Sequence, residues 1–146
     1  MYHKAMEHLI TRIAKPELFT PEYLARWVYE VNAPVWPETG KIMLWEEQDP
    51  SVRKRMKATA FWVFMSLEAQ GIMYGQDTIL KPAAFTPDQF AFLWWMEQDV
   101  AANGTKPLPV EALAWNVLAK SVKDEYTNTF AAVFYRLLQK GVLEES

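Results

Sequence analysis

Apolar residues recur along most of the chain at helical spacing. Val52, Met56, Ala60, Val63 and Leu67 follow at intervals of four, four, three and four, which is one stripe on one helix. Val122, Tyr126, Phe130, Val133 and Leu137 repeat the stripe 70 residues later. Each stripe runs up to a glycine, Gly71 or Gly141, placed just past a helix C-terminus. Two earlier helices open on Thr20-Pro21 and Thr86-Pro87, a capping threonine followed by a proline at the first helical position. The pattern carries them to about residue 32 and about residue 102. Loops containing Pro34 and Pro37, or Pro107 and Pro109, follow, and then a short helix carrying Trp45 or Trp115. After Gly71 the pattern turns extended, and Ile72 to Leu80 reads as a short β-hairpin around Gly75-Gln76-Asp77. Val142-Leu143 begins the same strand again. Over residues 1–14, Met6, Leu9, Ile10 and Ile13 are spaced as an amphipathic helix that would cover a core or bridge two protomers.

The recurrence extends to identities. Residues 15–30, KPELFTPEYLARWVYE, and 81–96, KPAAFTPDQFAFLWWM, share six of sixteen positions at an offset of 66. Further on the offset is 70 and pairs Trp45/Trp115, Thr59/Thr129, Val63/Val133, Phe64/Phe134, Leu67/Leu137 and Gly71/Gly141, among others. The change needs four extra residues in the second copy, in the loop with Asn103-Gly104. The expected fold is mainly α: an internal duplication of a three-helix unit with a small β-hairpin, with copies near 15–80 and 81–146, plus an N-terminal helix.

Three helices and a hairpin in this order resemble a winged helix–turn–helix. Phe85-Thr86-Pro87-Asp88-Gln89-Phe90 is similar to the helix-opening segment of MarR-like regulators. Thr129 to Leu143, TFAAVFYRLLQKGVL, is similar to the end of their recognition helix, with Ala131 and Ala132 where that family usually places Arg or Lys. The resemblance implies a winged-helix fold, and it extends to tandem winged-helix adaptors of the ScpB type, which assemble with proteins.

Composition narrows the field. The chain has 146 residues, 51% of them hydrophobic, enough for a packed core. The absence of Cys excludes disulfides and Cys-ligated metal centres. The N-terminus has no signal-peptide h-region, and the longest apolar run, Phe90 to Met96, falls well short of the roughly 20 residues a membrane span needs, so a cytoplasmic location without membrane association is expected. The net charge of −3 is unevenly spread. Residues 1–75 hold nine bases and nine acids, whereas 76–146 hold six and nine.

The densest cations are Arg53, Lys54, Arg55 and Lys57, at the start of the first long helix. At about 100° per residue, Arg53, Lys54 and Lys57 share one face, where they could meet phosphates and base edges with Ala58 and Thr59 nearby. Seventy residues on stand Lys123, Asp124, Glu125 and Thr127, so four positive charges become −1 (one Lys against Asp and Glu). The second copy is therefore expected to scaffold, dimerise or hold a protein. The hairpin offers no Arg or Lys before Lys81. Trp27, Trp45, Trp94 and Trp115 read as core, and Trp36 as a loop residue closing over the core or stacking on a partner. Phe61, Trp62 and Met65 lie away from the core stripe and are expected at an interface.

Catalytic chemistry finds no constellation. His3 and His8 diverge by about 140° on a helix and cannot share a metal, no Ser sits in a nucleophile elbow, and no phosphate-binding glycine loop occurs. No enzyme, cofactor or metal is expected. The leading expectation is a DNA-binding protein of regulatory or replication-accessory type, with the first copy on duplex DNA. The alternative is a protein–protein adaptor, including a phage-type inhibitor of a host protein. A homodimer fits either.

Overall fold

Helix starts follow the caps that the sequence supplies. In the computed structural model, which describes residues 9–103, 115 and 120–145, Thr20 Oγ1 accepts the Tyr23 N–H at 3.2 Å and opens α1 (Pro21–Val31). Asp49 accepts the Ser51 N–H at 2.8 Å and opens α2 (Pro50–Ala69). Thr86 Oγ1 accepts the Gln89 N–H at 3.2 Å and opens α3 (Pro87–Asn103). The fourth helix, α4, spans Lys120–Gln139. Both long helices stop at a glycine with φ +71°, and the next residue's N–H closes back on Leu67 O or Leu137 O at 2.9 Å. The short helix expected at Trp45 is a single 3-10 turn, Trp45–Glu47. Its counterpart around Trp115 lies outside the described residues apart from Trp115 itself.

The helices pack in a ring, α1 on α2, α2 on α3, α3 on α4 and α4 on α1. The α4–α1 junction is looser than the α2–α3 junction. Phenylalanines fill the centre: Phe19 lies 5.2 Å from Phe64 and 5.9 Å from Phe85, and Phe85 lies 5.7 Å from Phe134, measured between ring centroids. In the α2 stripe, Ala60, Val63 and Leu67 are buried while Val52 and Met56 are half-buried. In the α4 stripe, Phe130, Val133 and Leu137 are buried, but Val122 is 37% exposed because it stands in the first turn, ahead of the packed part of the helix. One buried polar pair joins α2 to α3, the Ser66 hydroxyl donating to the Glu97 carboxylate.

Residues 10–13 depart from the helix expected over residues 1–14. Ile10–Ile13 is a strand, β1, paired antiparallel with β4 (Leu143–Glu145). An isoleucine pair spaced by three suits a helix, yet a bulge between Ile10 and Arg12 turns both isoleucines inward from a strand. The run Ile-Thr-Arg-Ile, β-branched at three of its four positions, then finds its partner in residues 143–145. The second sheet is the expected hairpin, β2 (Met73–Tyr74) with β3 (Thr78–Ile79). Strand β1 thus supplies for Leu143 what β3 supplies for Met73.

Fine contacts recur between residues related by the offsets of 66 and 70. The Lys81 ammonium donates to Gln70 O at 3.1 Å and the Lys15 ammonium to Lys140 O at 3.0 Å. Leu80 N–H reaches Ile72 O at 2.8 Å, and Ala14 N–H reaches Val142 O at 2.8 Å. Thr59 and Thr129 hydroxyls each donate to the carbonyl four residues back, both at 3.0 Å.

Candidate nucleic-acid interface

The start of α2 stands against the middle of α1, and between them lies a shallow groove of about 390 Å³. Arg53, Lys54 and Lys57 line it from α2, as their shared helix face requires. Arg26 joins them from α1, with Trp45 buried beside it. Glu22 and Glu46 also line the groove, and Arg26 pairs with Glu46 at 3.2 Å. Four cations against two carboxylates leave a formal +2 (4 − 2). Arg53, Lys54 and Lys57 form no ion pair among the described residues.

The other expected contact residues divide. Arg55 is exposed but lies outside the groove. Ala58 is half-buried. Thr59 is 3% exposed, with its hydroxyl bonded to Arg55 O, so it serves helix packing and offers nothing to a ligand at the surface. Arg26 is the contributor that sequence reading passed over. Its only local signal is the i,i+4 spacing from Glu22, which places both on one face of α1.

The groove's rim is held by a polar loop. Glu47 Oε1 accepts the Leu44 N–H at 2.8 Å and the Trp36 indole N–H at 3.3 Å. The Leu44 N–H, and after it the Trp36 N–H, hold the Glu47 carboxyl below its ordinary range. The Ser51 N–H does the same for Asp49, helped by its hydroxyl and, more weakly, by Arg53 and Arg55. Tyr29 donates to Met43 O at 2.6 Å, and burial, then the Glu47 charge, pushes its phenol pKa up. Trp36 is anchored to this loop and remains one-third exposed, so it does not seal the core.

Further along α2, Phe61 and Met65 are close to half exposed, while Trp62 is half-buried with its ring edge-on to Phe61 at 5.5 Å. Lys54, Lys57, Phe61 and Met65 fall within an arc of about 80° on the helix, so one exposed face passes from cationic to apolar. The matching face of α4 carries Asp124, Thr127, Ala131 and Tyr135, and Lys120 pairs with Asp124 at 2.7 Å. That hydrogen bond, with the Asp124 charge, raises the Lys120 pKa.

His3 and His8 lie outside the described residues. Among the described residues, no group of three or more His, Asp or Glu side chains is arranged to hold a metal, and no helix is long and apolar enough to cross a membrane. Comparison of the chain with family models, with curated proteins and with solved structures returns no match.

Proposed function

We propose that the chain is a non-enzymatic DNA-binding protein that seats duplex DNA on the α1–α2 groove. The observation that carries this reading is the convergence of Arg53, Lys54 and Lys57 with Arg26, drawn from two helices onto one exposed face. Cations held in this way neutralise phosphates at the N-terminal end of a helix whose dipole also favours anions. The order α1, 3-10 turn, α2 and β2–β3 supports treating the first half as winged-helix-like, with the start of α2 as its base-reading end. The recurrent contacts of Lys15 and Lys81, and of Gly71 and Gly141, support a tandem duplication in which the second copy lost its cations and became scaffold or dimer surface.

Fluorescence anisotropy on mixed-sequence duplex DNA between 50 and 200 mM salt tests the reading. The intact chain should lose affinity steeply with salt. Arg53, Lys54 and Lys57 changed together to Ala should flatten the log–log slope by about 0.9 per lost phosphate contact. Absence of binding at 50 mM salt would reject it.

A second reading rests on Phe61 and Met65, whose exposure next to Lys57 suits a protein partner with an acidic, apolar face. In that case the triple variant leaves DNA affinity unchanged, and Phe61→Ala weakens the partner complex instead.

A further inference from the structure

The loose junction between α1 and α4 opens into a cleft of about 620 Å³, the size of a small-molecule site. Its apolar wall is Val28, Trp94 and Phe130. Its polar groups come from Asn32, at the end of α1, and from Glu125, Tyr126, Asn128 and Thr129 on α4. We infer that this cleft binds a planar amino-heterocycle, neutral or cationic, through its apolar wall and the amide edge of Asn32.

The chemistry follows from the lining. Asn32 Nδ2 donates to Thr129 Oγ1 at 2.8 Å, and Thr129 in turn donates to Glu125 O at 3.0 Å, so the amide is held by a chain of two hydrogen bonds. That chain occupies one amide N–H. The carbonyl oxygen and the second N–H have no partner among the described residues, and together they form an acceptor–donor pair. An amino group next to a ring nitrogen is its complement, the pairing by which Asn reads adenine. Glu125 is the charged group of the described lining, so an anion is disfavoured and an amine favoured.

The cleft has a lining particular to α4. Ala132 lines it, and the residue 70 positions earlier is Trp62, half-buried on α2. Asn128 and Glu125 likewise stand where α2 has Ala58 and Arg55. No residue lines both the cleft and the cationic groove, so this inference does not rest on DNA binding.

Protein-observed NMR on the full chain, following the Trp94 indole and Asn32 amide signals, tests it with three probes. Adenine should shift both signals saturably. Purine, which lacks the amino donor, should bind at least about tenfold more weakly. Adenosine monophosphate should also bind more weakly than adenine, and Glu125→Gln should narrow that gap. Ala132→Trp should abolish binding by filling the cleft, and Asn32→Ala, at an exposed position, should erase the preference for adenine. No saturable shift with adenine, equal binding of purine, or adenine binding unchanged by Ala132→Trp would each overturn the inference.

Discussion

Helices α2 and α4 are the same length, end on the same glycine turn and bury the same four positions, Ala60/Phe130, Val63/Val133, Phe64/Phe134 and Leu67/Leu137. Their outward faces nonetheless have little in common. The first half of α2 presents Arg53, Lys54, Arg55 and Lys57, whereas the first half of α4 presents Lys123, Asp124, Glu125 and Thr127. One helix faces a groove with a cationic wall and the other a cleft with an amide and a carboxylate. Buried positions answer to packing volume, and three of these four pairs are identical. Exposed positions are free of that constraint, so two helices doing the same structural work diverge in surface chemistry.

The strongest way to break this comparison is to cut the core at equivalent points. Leu67→Ala and Leu137→Ala each remove a fully buried side chain and should each cost about 2–5 kcal/mol, measured by urea unfolding. If the helices are structural equals, the two losses agree to within about 1 kcal/mol, and a larger difference would show that one half dominates the fold. A smaller effect belongs to the caps. Thr20→Ala and Thr86→Ala each lose one hydrogen bond of 3.2 Å and should each lower stability by about 1 kcal/mol in the same assay.

The third test exploits a difference. Glu47 and Asp49 are held below their ordinary pKa values of 4.5 and 3.8 by backbone N–H groups of the loop before α2. A carboxylate with a depressed folded pKa stabilises the native state above its ordinary pKa, and that contribution is lost as pH falls through the folded value. Acidification below about pH 4.5 should therefore loosen the loop carrying Trp36 and Leu44 before the α3–α4 pair changes. Glu47→Gln should remove most of that pH dependence, read from the Trp36 indole signal.

Sequence alone located the four helices, the threonine caps of α1 and α3, the glycine stops of α2 and α4, the hairpin and the cation cluster, because each rests on local chemistry: a threonine before a proline, a glycine after a stripe, charges a turn apart. What it missed is non-local. Ile10 and Ile13 carry a spacing that suits helix or bulged strand equally, and only the strand at 143–145 decides between them. Arg26 joins the groove through packing of α1 on α2, which no spacing within α1 encodes. Glu97 sits at the end of the aromatic run of α3 with no sign in the sequence that Ser66, 31 residues earlier, would donate to it.

The pairing of β1 with β4 also sets an order of events. The hairpin joins Tyr74 to Thr78 across a turn, whereas the matching sheet joins Arg12 to Glu144 across nearly the whole chain. Closing the longer loop costs on the order of 3 kcal/mol more in chain entropy, from the logarithm of the ratio of the two spans. The same small ladder should therefore form early at one end of the molecule and last at the other, once the helices have brought residues 10–13 and 143–145 together. The β1–β4 ladder is then a clasp on a finished ring, and slow hydrogen exchange at its amides would report completion of the whole fold.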